Sequence, residues 1–272
     1  MVIAIINYKG GVGKTTSAVN IGAGLRKSGA SVLLIDTDPQ ANLTTSVGLT
    51  THERITLYNV LKEELPIENA IVKDERVSSG VHIIPASEKL SRLHTELAEE
   101  LNKESLLRIH LESLRNAYDF ILIDCSPTRN LLNDNALVAA DEAYIPVQTQ
   151  HLAAQGLGLM QKRVEEIQRR RLNEHLRISG IIATMHVKQS SASQGVEEGL
   201  REVWSNTVFK TVIRQNVALH EAPALGQDIF TYAPKSNGAK DYEALCAEIL
   251  ERAGLDKKPN GRKKETIKKT SA

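Results

Sequence analysis

The 272-residue chain is long enough to bury one substantial core, and its 41% hydrophobic and 25% charged residues are those of an ordinary water-soluble globular protein. Aromatics at 4% supply no row of stacking platforms for single-stranded nucleic acid, no apolar run has the length of a membrane span, and Cys125 and Cys246 lack a paired metal spacing and suit a reducing cytosol. The formal net charge of +1 is uneven: seven Lys or Arg against Asp256 and Glu265 give residues 256 to 272 a net of +5, leaving −4 on the body and no global basic field.

Val2-Ile3-Ala4-Ile5-Ile6 reads as a buried parallel strand that begins the chain directly, with no signal peptide and no upstream DNA-binding module expected. Residues 9 to 16, Lys-Gly-Gly-Val-Gly-Lys-Thr-Thr, follow it, and Ser17 to Lys27 reads as a helix stopped by Gly29. A glycine-rich turn between a strand and a helix is a phosphate-binding geometry. Gly10, Gly11 and Gly13 let successive N–H groups point at an anion, and the helix N-terminus adds partial positive charge. Lys14 would reach the β- and γ-phosphates and the Thr15 hydroxyl would ligate Mg²⁺, with Val12 and Thr16 completing the cradle.

The usual pattern places glycine where this chain has Tyr8, and a second lysine, Lys9, stands beside it. This form, K-G-G-x-G-K-[ST]-[ST], resembles the deviant Walker A motif of the ParA/MinD class of P-loop ATPases. The resemblance implies that Lys9 crosses a dimer interface to touch the partner's nucleotide.

Ser31 to Asp36 is a second buried strand, running into Thr37-Asp38-Pro39-Gln40-Ala41-Asn42. Carboxylates at the C-terminal end of a parallel strand sit in the crevice where ligands bind, and Asp36 and Asp38, two apart, would share a side of an extended chain. Asp38-Pro39 also fits a helix N-cap with proline in the first turn. The same class has D-x-D-P-Q-x-N here, which implies that Asp38 orients the attacking water near Mg²⁺.

Residues 56 to 62 read as a short helix and 81 to 85 as a strand. A helix capped by Ser87 would bury Leu90, Leu93, Leu97 and Leu101, and a further helix would span 106 to 114. Asp119 to Asp124 is a Walker B strand, with Asp124 holding Mg²⁺ directly or through a water, and Cys125 a small core filler. Leu131 to Ala140 is a helix, 142 to 147 a strand, and 152 to about 171 a long helix whose basic end complements the helix dipole or joins a DNA-contact surface. Strands at 177–183 and 208–213, helices at 194–204 and 238–250, and a basic disordered tail at 255–272 complete a one-domain chain, residues 1–254. The alternation predicts an α/β fold, a mostly parallel twisted sheet of about seven to eight strands with helices on both faces.

By resemblance Met185 and Asn216 approach the adenine, Asn216 within the N-V-x-L-x-E-A-P segment at 216–223. Within the class the chain is most similar to the ParA/Soj-type DNA-partitioning ATPases of the short form. That implies hydrolysis of ATP with Mg²⁺, an ATP-dependent homodimer, non-specific binding to duplex DNA, a ParB-type activator protein, and a cytoplasmic, nucleoid-associated location. Two arginines frequent in relatives are Gln189 and Ala218 here, so Lys188, Arg201, Lys210, Arg214 and the tail are the substitutes for phosphate contact. The alternative is a MinD-like membrane-associated positioning ATPase, for which the tail lacks an apolar face.

Overall fold

The computed structural model describes residues 1–50, 54–74, 77–149 and 153–255. The expected basic tail from 256 lies outside them. Six strands form one sheet, β1 (Val2–Ile5), β2 (Val32–Asp36), β3 (His82–Ile84), β4 (Phe120–Asp124), β5 (Glu142–Gln148) and β6 (Arg177–Thr184). All pair in parallel, in the order β3-β2-β4-β1-β5-β6. The helices are α1 (Lys14–Lys27), α2 (Asn42–Ser46), α3 (Leu57–Glu63), α4 (Leu93–Glu96), α5 (Leu106–Leu111), α6 (Leu131–Ala139), α7 (Ala153–Arg169), α8 (Ser191–Trp204), α9 (Ala218–Glu221), α10 (Ile229–Tyr232) and α11 (Asn237–Arg252).

The apolar strands are continuous because both faces of the sheet are covered. Val2, Ala4 and Ile6 point to one face, with Leu137 of α6 and Leu157, Met160 and Ile167 of α7. Ile3 and Ile5 point to the other, with Ala18, Ile21 and Leu25 of α1 and Tyr242, Leu245 and Ile249 of α11. The period of two along β1 therefore divides the core into two layers. Helix α1 lies so close to the sheet that a Cβ on Gly22 would come within 2.8 Å of the Leu34 side chain.

Among the described residues six strands stand where seven to eight are expected. The segment 208–213 and the residue after it make only isolated parallel bridges among the described residues, Val208 to Ile181 and Arg214 to His186. The N–H groups of Phe209 and Ile213 donate to Ile181 and Ala183. Those of Lys210 and Thr211 turn away to the Glu248 carboxylate of α11 at 2.9 and 3.2 Å, so the ladder is interrupted. The helix expected after Ser87 is also broken, into a 3₁₀ turn at 88–92 and the single turn of α4. Leu90, Leu93 and Leu97 are buried as expected, but Leu101, beyond the break, is 83% exposed.

The order of strands reverses around β1. From β1 the chain passes to β2 on one side, and β5 flanks β1 on the other. In parallel α/β sheets ligands bind outside the carboxyl ends of strands at such a point. Residues 7–13 leave β1 there.

Candidate functional site

The loop 9–13 owes its shape to glycines where the chain turns left-handed. Gly11 and Gly13 have φ of 70° and 87°, conformations a side chain disfavours. Gly13 is the N-cap of α1, and no side chain caps that helix, so its first N–H groups face the loop. The Thr184 hydroxyl at the end of β6 donates to the Val12 carbonyl at 2.9 Å, tying the loop to the sheet.

A cleft of about 680 Å³ opens above these strand ends. Gly10, Gly11, Gly13, Lys14, Thr15 and Thr16 line one wall, and Asp38 with Pro39 lines another. Met185 and His220 close a third side. Lys14 is only 7% exposed, and its ammonium donates to the Lys9 carbonyl at 3.1 Å. Burial pulls its pKa down, opposed by the neighbouring Asp124 and Asp38 carboxylates. Thr15 Oγ1 donates to Asp124 Oδ2 at 2.7 Å. Asp124 is fully buried, and its other oxygen, Oδ1, has no hydrogen-bond partner among the described residues. Burial, reinforced by Asp36, holds its carboxyl well above the usual carboxylate range.

Asp36 and Asp38 do not share a side as expected. Strand β2 ends at Asp36, whose carboxylate turns inward, accepting from the Thr44 N–H and hydroxyl and from the Asp38 N–H. Burial pushes its pKa up to about 6 against those bonds. Asp38 sits in the following loop, where its Oδ1 accepts the Gln40 N–H at 3.0 Å. Asp36 thus fixes the turn that presents Asp38. The helix that follows, α2, has Ala41 at its N-cap, so Asp38 is not a capping residue.

The donor set, a hydroxyl and carboxylates around an orphaned buried oxygen, matches a hard divalent cation that takes oxygen ligands. Among the described residues no three His, Cys, Asp or Glu converge as a metal cage.

A family model described as an AAA domain matches residues 1–178. The chain is 40% identical over 254 residues to the chromosome partitioning protein ParA of Caulobacter vibrioides, covering 92% of this chain and 94% of that protein. It is 39% identical over 252 residues to the chromosome-partitioning ATPase Soj of Treponema pallidum, covering 93% and 98%. This chain belongs to the ParA/Soj family of partitioning ATPases. Among solved structures, the ADP- and magnesium-bound cobyrinic acid a,c-diamide synthase of Mycobacterium smegmatis superposes with a TM-score of 0.80 at 28% identity, covering 92% of this chain and 94% of that one.

The sequence-derived residues fall into four groups. Gly10, Gly11, Gly13, Lys14, Thr15, Thr16, Asp38 and Met185 meet in the cleft, with Asp124 directly beneath Thr15, whereas Val12 is buried away from the cleft lining. Asn216 lines a smaller adjoining cavity with Gly13, Thr16, Met185 and Tyr242, its Oδ1 accepting the Ala218 N–H at 2.9 Å. Met185 holds φ of 52°, an uncommon value for a residue with a side chain. Lys9 is exposed, and its ammonium has no partner among the described residues.

Lys188, Arg201, Lys210 and Arg214 lie outside the cleft. Arg214 is bound to Asp241 of α11 through Nε and Nη2, and Asp241 also accepts its N–H. Arg201 pairs with Glu197 and donates to the Lys210 carbonyl. Lys188 and Lys210 are exposed, their ammonium groups without partners among the described residues. Cys125 is buried, and burial pushes its thiol far above the usual range, in keeping with a filler. Sequence reasoning passed over Asn7, a polar residue ending an apolar run immediately before the loop. Its role depends on a distant partner, Pro146.

Proposed function

We propose that this protein is an ATP-hydrolysing partition protein. It would form an ATP-dependent sandwich dimer, bind duplex DNA without sequence preference, and be switched off by a ParB-type partner to segregate or position a plasmid, a chromosome or another cargo. The observation that carries this reading is the cleft in which Lys14, Thr15 and Asp38 converge above the orphaned Asp124 oxygen, with an exposed Lys9 outside it. A cytoplasmic, nucleoid-associated location follows from that activity. No helix of the described residues is long and apolar enough to cross a membrane.

ATP is the nucleotide, its phosphates held by the N–H groups of residues 10–16 and by Lys14. The M. smegmatis neighbour, with its bound ADP and magnesium, supports the pairing of nucleotide and Mg²⁺. Thr15, Asp124 and Asp38 would hold Mg²⁺, whose charge offsets that of the phosphate oxygens. Asp38, on a turn pinned by Asp36, orients the attacking water and takes part of its proton's hydrogen bonding. Met185 and Asn216 flank the base. Lys9, exposed in its own subunit, would add positive charge at the γ-phosphate of a second subunit, in the manner of an arginine finger. ATP then stabilises the dimer by occupying the shared site, and hydrolysis removes part of that stabilisation.

The test is a gel shift of random duplex DNA with ATP, with ADP and without nucleotide. Binding that requires ATP supports the reading. Equal binding in all three lanes, or none, counts against it. Association with anionic vesicles and no DNA shift would favour the MinD-like alternative.

A further inference from the structure

We propose that Asn7 is the positioning residue for Lys9. Asn7 is 2% exposed and follows the end of β1. Its Nδ2 donates to the Pro146 carbonyl of β5 at 2.9 Å, and its Oδ1 accepts the Lys9 N–H at 3.0 Å. Oδ1 also faces the first turns of α7, where a Cβ on Gly156 would lie 3.4 Å from it. One planar amide thus ties the loop to a strand and packs against a helix.

The Lys9 backbone is held at both ends. Asn7 takes its N–H, and the Lys14 ammonium donates to its carbonyl at 3.1 Å. Fixing both flanking peptides fixes the direction in which the Lys9 side chain leaves the loop, while the side chain itself is exposed. The two ties differ in what else they serve. The Lys14 ammonium has three donors to divide between the Lys9 carbonyl and phosphate oxygens, whereas the Asn7 amide is committed to Pro146 and Lys9.

The bridge requires an asparagine. It needs a donor for Pro146 and an acceptor for Lys9 in one rigid group of this length. Aspartate supplies no donor, and serine is too short to span both. Asn7 does not touch the phosphates, so its effect passes through Lys9.

This inference rests on the reading of Lys9 as the residue that reaches a second subunit's nucleotide. The test is a double-mutant cycle on steady-state ATP turnover with random duplex DNA present, with fluorescent-ATP affinity measured in parallel. Asn7→Ala is expected to lower kcat about tenfold or more while nucleotide affinity stays within about twofold, because a small misplacement of a charged group costs rate before binding. Added to Lys9→Ala, it should lower kcat no further. Equal losses in both backgrounds, or unchanged kcat in Asn7→Ala alone, would overturn the positioning role and leave the shared site intact. Wild-type turnover by Lys9→Ala would overturn both. If Asn7→Ala does not fold, Asn7→Leu serves in the same cycle: it fills a similar volume but offers neither the donor for Pro146 nor the acceptor for Lys9, and the same outcomes decide.

Discussion

Thr15 donates its hydroxyl to one oxygen of Asp124 at 2.7 Å, and the other oxygen of that buried carboxylate has no partner among the described residues. A protein keeps such an arrangement when the ionised carboxylate has work at the site, because burial alone penalises it. Asp124→Asn should therefore raise the melting temperature in metal-free buffer, by about 1–2 kcal/mol of added stability. The same change should weaken Mg²⁺-supported ATP affinity about 10–100-fold. Calorimetry with and without Mg²⁺ checks both halves; an Mg²⁺ response equal to wild type would remove Asp124 from the metal's surroundings.

Lys14 is the charge that the phosphates need, and the glycine loop already offers its N–H groups. Lys14→Ala should reduce ATP affinity about 100-fold or more, the scale of losing a charge-assisted contact in a buried site. Equilibrium titration with fluorescent ATP measures it, and unchanged affinity would end the phosphate-loop reading.

Asp38 is held by backbone and by Asp36, so its removal should leave the cleft's shape intact. Asp38→Ala is expected to slow turnover about 10²–10⁴-fold, as loss of a positioned acid–base group does, and to accumulate an ATP-bound dimer. Sizing in ATP with bound nucleotide quantified is the measurement. A nucleotide-loaded monomer would count against the sandwich.

The basic residues separate into structural and available ones. Arg214→Glu faces Asp241 with like charge and should destabilise the fold by about 1–3 kcal/mol, so weakened DNA binding by that variant is not diagnostic. Lys210→Glu and Lys188→Glu should leave the melting temperature unchanged and each lower the slope of log affinity against log salt by about 1. Fluorescence anisotropy with random duplex across a salt series decides; unchanged slopes would move the DNA contact to the C-terminal segment.

Away from the cleft, Asp228 caps α10 and accepts the hydroxyls of Ser78, Ser79 and Thr231. Burial alone would raise its pKa, but those hydroxyls and the Thr231 N–H outweigh burial and hold it below the usual carboxylate range. A depressed carboxylate contributes stability above its unfolded pKa and loses it as pH falls through the folded one. Asp228→Ala should cost about 2–4 kcal/mol at pH 7 from a lost cap and orphaned hydroxyls. Urea midpoints should show the gap between wild type and Asp228→Asn narrowing as pH drops below about 4. A gap that stays constant to pH 3 would contradict the assignment.

The sequence by itself determined the glycine loop, the strands that deliver Asp36 and Asp124, and the layered α/β fold. These are local. A run such as Phe120–Asp124 fixes its own extended backbone and burial, and Gly11 and Gly13 fix a turn within a few residues. Only the tertiary structure decided which polar groups meet across the chain. Glu248 draws off the N–H groups of Lys210 and Thr211 and ends a strand that the apolar run at 208–213 predicts. Asp241 binds Arg214, which charge alone marked for DNA. Asn7 reaches Pro146, 139 residues away, to hold the loop that carries Lys9. Such pairings depend on how strands and helices are ordered around the sheet. The chemistry of a side chain is written in its residue type, but its partner is set by topology.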